Sequence, residues 1–328
     1  VQKHPEARLL VVAGEAAKRH EWMDRLPAST VFIDIFNAFP LLGDQERDAM
    51  LVRAMLAVAA DGCRLHIKSS VFAHRVLDAY GSVLAGRFRT VYYRFCDDTY
   101  QWQGGSLRTP WGIKVMRRHL PGFWKVISDC AATVRGDRSV LGALQSKYET
   151  IYTRCERSAL VSQRAAPQYR LLWASRVGAQ KRPELLKRIA DALKVAGLDI
   201  VIDAYGTPDF GVDPRAIFDD RSSSISYHGS FSTFRDLPIE SYDGFIYTSA
   251  YDGLPNILLE ALGAGLPVIA PDVGGVDEVV KPGLTGWLVD GADDQALVQD
   301  YVRAIRALYE DWSSVTDMVT NGRQLLDD

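Results

Sequence analysis

Residues 248–280 read TSAYDGLPNILLEALGAGLPVIAPDVGGVDEVV. A strand-length apolar run delivers a polar loop, Asp252 to Leu254, into a helical stretch beginning at Pro255. Proline suits a first helical turn, where no backbone donor is needed, and the free N–H groups of that turn form a ready anion site. Gly253, lacking a side chain, lets a ligand approach the backbone closely. Glu260 lies among Leu258, Leu259, Ala261 and Leu262, which predicts a buried carboxylate. An ionised carboxylate there is costly unless its oxygens are satisfied, and the paired hydroxyls of a ribose would satisfy them. Asp252 precedes Glu260 by eight residues, so the two can border one cleft at its two ends. The same spacing equally fits an Asp252 that caps the helix and a Glu260 with a basic neighbour.

Outward from this stretch, apolar runs of strand length alternate with helical patterns, the signature of a parallel sheet flanked by helices. The second half predicts strands at 169–175, 199–205, 224–228, 244–249, 267–271 and 286–289, and helices led by PELLKRIADALKVAG, PNILLEALGAG and DDQALVQDYVRAIRALYEDW. A further helix is expected over 313–326. The first half predicts strands at 7–13, 31–36, 63–68, 89–95 and 125–133, with helices over 45–62 and 71–86 that end at Gly. The polar stretch 156–168 separates the two series, so the chain is read as domains 1–165 and 166–328.

Composition fits this plan: 328 residues, 47% apolar and 24% charged, make an ordinary globular chain too long for one core. No run of about eighteen uncharged apolar residues occurs, and VQKHPEARLL lacks the layout of a secretory signal, so a cytoplasmic protein is expected. Opening on Val1 rather than Met, the chain reads as a fragment truncated at its N-terminus. Cys63, Cys96, Cys130 and Cys155 show no C-x-x-C spacing and read as reduced core thiols, not a zinc site. Residues 1–165 carry 24 Lys and Arg against 16 Asp and Glu, while 166–328 carry 14 against 25. The cationic half could meet an anionic acceptor or the inner face of a membrane, or the two halves could simply attract each other. WGIKVMRRHLPGFWK, residues 111–125, mixes cations with aromatics in a way that suits a membrane interface and equally an ordinary core.

The 248–280 stretch resembles the signature of the retaining glycosyltransferases of family four: an acidic residue, seven others and a Glu, then a small-residue turn, a Pro-Val strand and a Gly-Gly pair. Those elements are Asp252, Gly253, Pro255, Glu260, Ala261, Gly265, Pro267, Val268, Gly274, Gly275 and Glu278. The family usually has Glu where this chain has Asp252. Upstream, LLWASRVGAQKRPELLKRIADAL resembles the family's first strand-loop-helix, whose Arg and Lys contact the donor diphosphate; here they are Arg176 and Lys181. DAYGTPDF is similar to the family's Tyr-Gly-x-Gly turn without its second glycine, and gives Gly206 a close approach to the nucleotide. ISYHGSFSTF resembles the segment passing the nucleobase, with Gly229 to Phe231 as backbone contacts and His228 read as structural.

The resemblance implies a GT-B fold, two Rossmann-like domains with parallel sheets facing a central cleft. It also implies transfer, with retention, of a sugar from a nucleoside diphosphate to a hydroxyl of a glycan or lipid-linked acceptor, as in polysaccharide assembly. Glu260 would hold the ribose, Arg176 and Lys181 the diphosphate, and Asp252 with the backbone of Gly253, Leu254, Pro255 and Asn256 the donor sugar. No metal, cofactor or nucleic acid is expected. On the acceptor side, Gly14 in VVAGEAAKR stands for the family's first glycine loop, and Asp97 and Asp98 lie where a His-bearing loop is usual. Two rivals share the donor contacts: an epimerase or hydrolase of the same fold, and a domain that binds a nucleotide sugar or glycan and transfers nothing.

Overall fold

A computed structural model describes residues 8–14, 20, 23–60, 62–96, 110–155, 165–218 and 224–327, without the side chains of 25, 110–113 and 143–145. The chain divides into two compact units: Val1–Arg94 with Val115–Val126, and Phe95–Lys114 with Ile127–Asp328.

In the first unit, β1 (Leu10–Ala13) and β2 (Val31–Asp34) form a two-stranded parallel sheet. The strand expected to reach residue 36 stops at Asp34, whose carboxylate accepts the Asn37 N–H and caps the short helix α1 (Ile35–Ala38). Helix α2 (Asp44–Val58), β3 (Arg64–Lys68), α3 (Val71–Arg87) and β4 (Arg89–Tyr93) follow, with β3 and β4 parallel in the register Arg64 to Arg89. Val52, Val76 and Leu84 centre a small apolar cluster. Arg75 on α3 holds Asp48 of α2 through two N–H donors, a fork geometry that fixes the two helices against each other. Helix α4 (Pro110–His119) leads to Phe123, which is buried, and to Trp124, which is 43% exposed.

Strand β5 (Lys125–Ser128) carries the chain into the second unit. The expected strand over 125–133 ends early because Ser128 Oγ accepts the Cys130 N–H, and α5 (Ala131–Leu141) begins at once. A short strand not expected from the sequence, β6 (Tyr148–Thr150), comes next, and the Ile151 N–H donates to the Ser128 carbonyl.

The remainder is one six-stranded sheet with helices. In chain order it runs β7 (Arg170–Ala174), α6 (Pro183–Val195), β8 (Val201–Tyr205), α7 (Pro214–Phe218), β9 (Ile225–Tyr227), β10 (Gly244–Ile246), α8 (Asn256–Gly263), β11 (Val268–Pro271), β12 (Gly286–Val289), α9 (Asp294–Glu310) and α10 (Val315–Leu325). All six strands predicted for this half are present. The sheet order is β12-β11-β10-β7-β8-β9, with each neighbour pair parallel. Numbered within the half, this is the doubly wound order 3-2-1-4-5-6, whose winding reverses between β7 and β10. Strands β10 and β11 are buried throughout, and β7 is buried beyond its first residue, which is why they read as continuous apolar runs. One core, with Trp173, Ile189, Ile246 and Tyr301, lies on one face; a second, with Tyr247, Leu258, Leu262 and Val268, lies on the other.

Candidate functional site

In a doubly wound sheet ligands bind outside the carboxyl ends of the strands at the switch point. Here those ends belong to β7, followed by Arg176 to Lys181, and β10, followed by Tyr247 to Asp252. The two loops are stitched together. Ala250 N–H donates to the Gln180 carbonyl at 2.8 Å, Gln180 Nε2 to the Tyr251 carbonyl at 2.9 Å, and Thr248 Oγ1 to the Lys181 carbonyl at 2.6 Å. Thr248 in turn accepts the indole N–H of the buried Trp173.

At the centre, Lys181 Nζ lies 2.5 Å from Asp252 Oδ2 and 2.9 Å from Tyr247 Oη, and the Tyr247 hydroxyl donates to the same carboxylate oxygen. Burial first, and then the neighbouring Asp252, push the Tyr247 phenol well above its ordinary value, so it stays a donor. The other Asp252 oxygen accepts the Gly253 N–H. Asp252 therefore does not cap α8. The helix starts one residue later than expected, since Pro255 is extended at ψ 120°, and Pro255 itself occupies the cap position. Lys181 has three N–H donors and these bonds engage two.

Arg176 lies at the other side of this loop, 58% exposed, bound to Asp209 Oδ1 and Gln180 Oε1 at 3.0 Å each. Gly206 ends β8, where a Cβ would fall 1.6 Å from the Ser175 carbonyl oxygen, so β7 and β8 close up only around a glycine. Gly206 N–H donates to the carbonyl of Gly229, which takes a φ of +84°. His228 is held by Asp203 at 2.8 Å and stacks on Tyr205, the structural role expected of it.

Glu260 departs from expectation: it is exposed, not buried in the core. The apolar residues around it in sequence point to other faces of α8, and Glu260 shares a face with Asn256 one turn earlier. Both line a pocket of about 280 Å³ with Arg154, Cys155, Phe234 and Arg235. Desolvation by these walls raises the Glu260 carboxyl above its ordinary value, and Arg235 opposes the rise. Arg235 supplies the basic neighbour that the sequence left open.

The Gly-Gly pair has a packing reason. A Cβ on Gly274 would fall 1.9 Å from the Asp252 carbonyl oxygen, and the Gly275 N–H donates to the Gly253 carbonyl. Glu278 accepts the Ala131 and Ala132 N–H groups at the start of α5 and the Tyr152 hydroxyl. An acid at that helix end also meets the positive pole of the helix dipole.

Among the remaining expected residues, Gly14 follows β1, and the Phe72 ring takes the place a Cβ would need. Asp97 and Asp98 lie outside the described residues. All four cysteines are free thiols; Cys130 is buried and Cys155, half-buried, packs against the second core, while Cys63 and Cys96 are half-buried. Among the described residues, no group of three His, Cys, Asp or Glu could hold a metal, and no helix is long and apolar enough to cross a membrane. Tyr247, Gln180, Arg235 and Arg154 were not singled out from the sequence. The first two emerge only once β7 and β10 are neighbours.

The family described as Glycosyl transferases group 1 matches residues 236–325. The D-inositol 3-phosphate glycosyltransferase of Arthrobacter sp. (strain FB24) is 27% identical over 179 residues, 52% of this chain and 41% of that protein. The Vi polysaccharide biosynthesis protein VipC/TviE of Salmonella typhi is 30% identical over 116 residues, 35% of this chain and 18% of that protein. The chain thus aligns with less than half the length of either relative. Among solved structures, Anabaena HepE in complex with UDP and glucose superposes with a TM-score of 0.67 at 16% identity, covering 97% of this chain and 86% of that one. The pneumococcal O-GlcNAc transferase GtfA in complex with UDP and GlcNAc gives 0.60 at 16% identity, covering 84% and 56%. Residues 236–325 thus match the glycosyl transferases of group 1, and the architecture of two Rossmann-like domains is the GT-B fold of these solved structures.

Proposed function

We propose that this chain transfers a sugar from a nucleoside-diphosphate sugar to a hydroxyl of a glycan or lipid-linked acceptor in polysaccharide or glycoconjugate assembly, with retention at the anomeric carbon. The observation that carries the reading is the stitched pair of loops at the β7–β10 switch point, which sets Lys181, Tyr247 and Asp252 within hydrogen-bond reach of one another. Cleavage of the anomeric bond builds negative charge on the departing diphosphate. Fixed cations stabilise that charge most when it is largest, and a preorganised donor of this kind is worth about 3–4 kcal/mol. Lys181 and Arg176 supply the cations, so the proposal needs no metal and no cofactor beyond the co-substrate. Asp252 with the backbone of Gly253 to Asn256 holds the donor sugar, and Glu260 takes the ribose in the pocket it shares with Asn256. Gly206 and Gly229 pass the nucleotide.

Support for a nucleoside diphosphate comes from relatives and neighbours: HepE and GtfA are described in complex with UDP, and VipC/TviE as a polysaccharide biosynthesis protein. The proposal includes a cytoplasmic setting and peripheral contact with an anionic membrane face. Trp124, exposed, with the guanidinium groups of Arg64 and Arg89 over its ring at 5.5 and 5.8 Å, is the feature of the first unit that suits such contact. Gly14, Asp97 and Asp98 are the proposed acceptor-side residues.

A panel of nucleoside diphosphates and their sugars, screened by thermal shift and then by sugar release with and without glycan acceptors, tests the reading. The expected result is stabilisation by one nucleoside diphosphate and acceptor-dependent release of its sugar, with Glu260→Ala losing the stabilisation. Release without any acceptor would replace transfer by hydrolysis, and no stabilisation by any member of the panel would remove the donor site.

A further inference from the structure

Asp129 follows β5 at its carboxyl end, and the proposed donor site leaves it without a role. Its carboxylate reaches across to the donor-sugar loop, where it accepts the Leu254 N–H. Gly253 is pressed so closely against it that a Cβ there would fall 2.5 and 2.6 Å from the two carboxylate oxygens, and 2.4 Å from the Phe95 carbonyl oxygen. The same loop also rests on Gly274 and Gly275. The segment that bears Asp129 is itself tied down: Glu278 caps α5 two residues on, and Cys130 packs where Gly275 would carry a Cβ. Asp129 Oδ1 is buried with no hydrogen-bond partner. An unpartnered buried polar atom destabilises a fold, and such groups persist where function holds them.

We propose that Asp129 is a positioning residue of the donor site, bracing the Gly253–Leu254 backbone from β5 so that Asp252 and the first turn of α8 keep the register the donor sugar requires. This rests on the reading of residues 252–256 as the donor-sugar loop. The brace comes at the expense of stability. Burial, with the neighbouring Asp252 charge adding to it against the Leu254 and Cys130 hydrogen bonds, raises the Asp129 carboxyl to about 6. The titratable groups acting on it are Asp252 on the loop before α8, itself paired with Lys181, and Cys130 beside it, whose thiol in turn feels Glu278. A folded-state value above the unfolded one means that the stability linked to the neutral carboxyl is fully present below about pH 4 and lost as pH rises through about 6.

The test compares wild type, Asp129→Ala and Asp129→Asn by thermal melts between about pH 4.5 and 7.5, and by steady-state kinetics with the nucleotide sugar that wild type consumes. Asp129→Asn keeps an acceptor for the Leu254 N–H and removes the charge. It is expected to melt above wild type at about pH 7.5, with the gap closing as pH falls below about 6. Asp129→Ala is expected to raise the donor KM about tenfold with kcat changed less than about threefold, and Asp129→Asn to restore KM to within about threefold of wild type. An unchanged donor KM in Asp129→Ala overturns the brace. So does an Asp129→Asn variant that melts at or below wild type at about pH 7.5, which would make the carboxylate a stabilising structural group. The melting result stands even if wild type consumes no nucleotide sugar, an outcome that would instead remove the proposed function.

Discussion

The two units bury their sheets differently. In the second, β10 and β11 have no exposed residue and β7 is buried beyond its first, and these strands deliver the loops of the site. In the first, β3 alternates between exposed and half-buried along its length, and neither β1 nor β2 has a fully buried residue. A strand packed on both faces cannot shift without losing contacts on both, and the loops at its end inherit that rigidity. Holding an ammonium, a phenol and a carboxylate within hydrogen-bond reach requires such a scaffold. The proposed donor site thus sits at the ends of deeply buried strands, whereas in the first unit only the centre of β4 is buried to that degree among β1 to β4.

Three substitutions would break or sharpen that contrast. The largest effect is expected at Trp173, buried on β7 and bonded to Thr248. Trp173→Ala should cost about 3–5 kcal/mol in urea unfolding, because it opens a cavity and leaves the Thr248 hydroxyl short of a donor. A loss under about 1 kcal/mol would mean the sheet is not the rigid support described. Gly253→Ala comes next, at about 1–3 kcal/mol, since the new methyl meets the Asp129 oxygens and the Phe95 carbonyl. Its donor affinity, read by calorimetry, should fall more than that of a variant of equal stability loss elsewhere in the second unit. The smallest effect is expected in the first unit. Val31→Ala, at a position 59% exposed on β2, should change stability by less than about 0.5 kcal/mol.

The same contrast explains what the sequence could reveal. Strands of this sheet are apolar runs bounded by Gly, Pro and charges, so the expected 286–289 matches the edge strand β12 to the residue, although only its two ends are buried, and the other five match to within a few. The short strand Tyr148–Thr150, half exposed and mixed in composition, offers no such run. At the site, Asp252, Lys181 and Arg176 were legible from the 248–280 stretch and from LLWASRVGAQK. The bond between Lys181 and Asp252 was not, because it spans 71 residues and depends on β7 lying beside β10. The burial expected of Glu260 differs from its exposure in the fold for a related reason: sequence neighbours on a helix face different directions, and only the fold says which face looks outward. The role of Asp129 is beyond the reach of the sequence, since its partner Leu254 belongs to a different part of the chain and Asp129 itself falls within the strand expected over 125–133.

The central claim is that Arg176 and Lys181 carry the charge of a diphosphate. Isothermal titration of the best-bound nucleoside diphosphate into wild type and into the Arg176→Ala, Lys181→Ala double variant tests it most directly. The account predicts that affinity falls by about a hundredfold, on the order of 1.4 kcal/mol per side chain, while the corresponding nucleoside, which lacks phosphate, binds both proteins alike. Equal affinity of the two proteins for the diphosphate would contradict it.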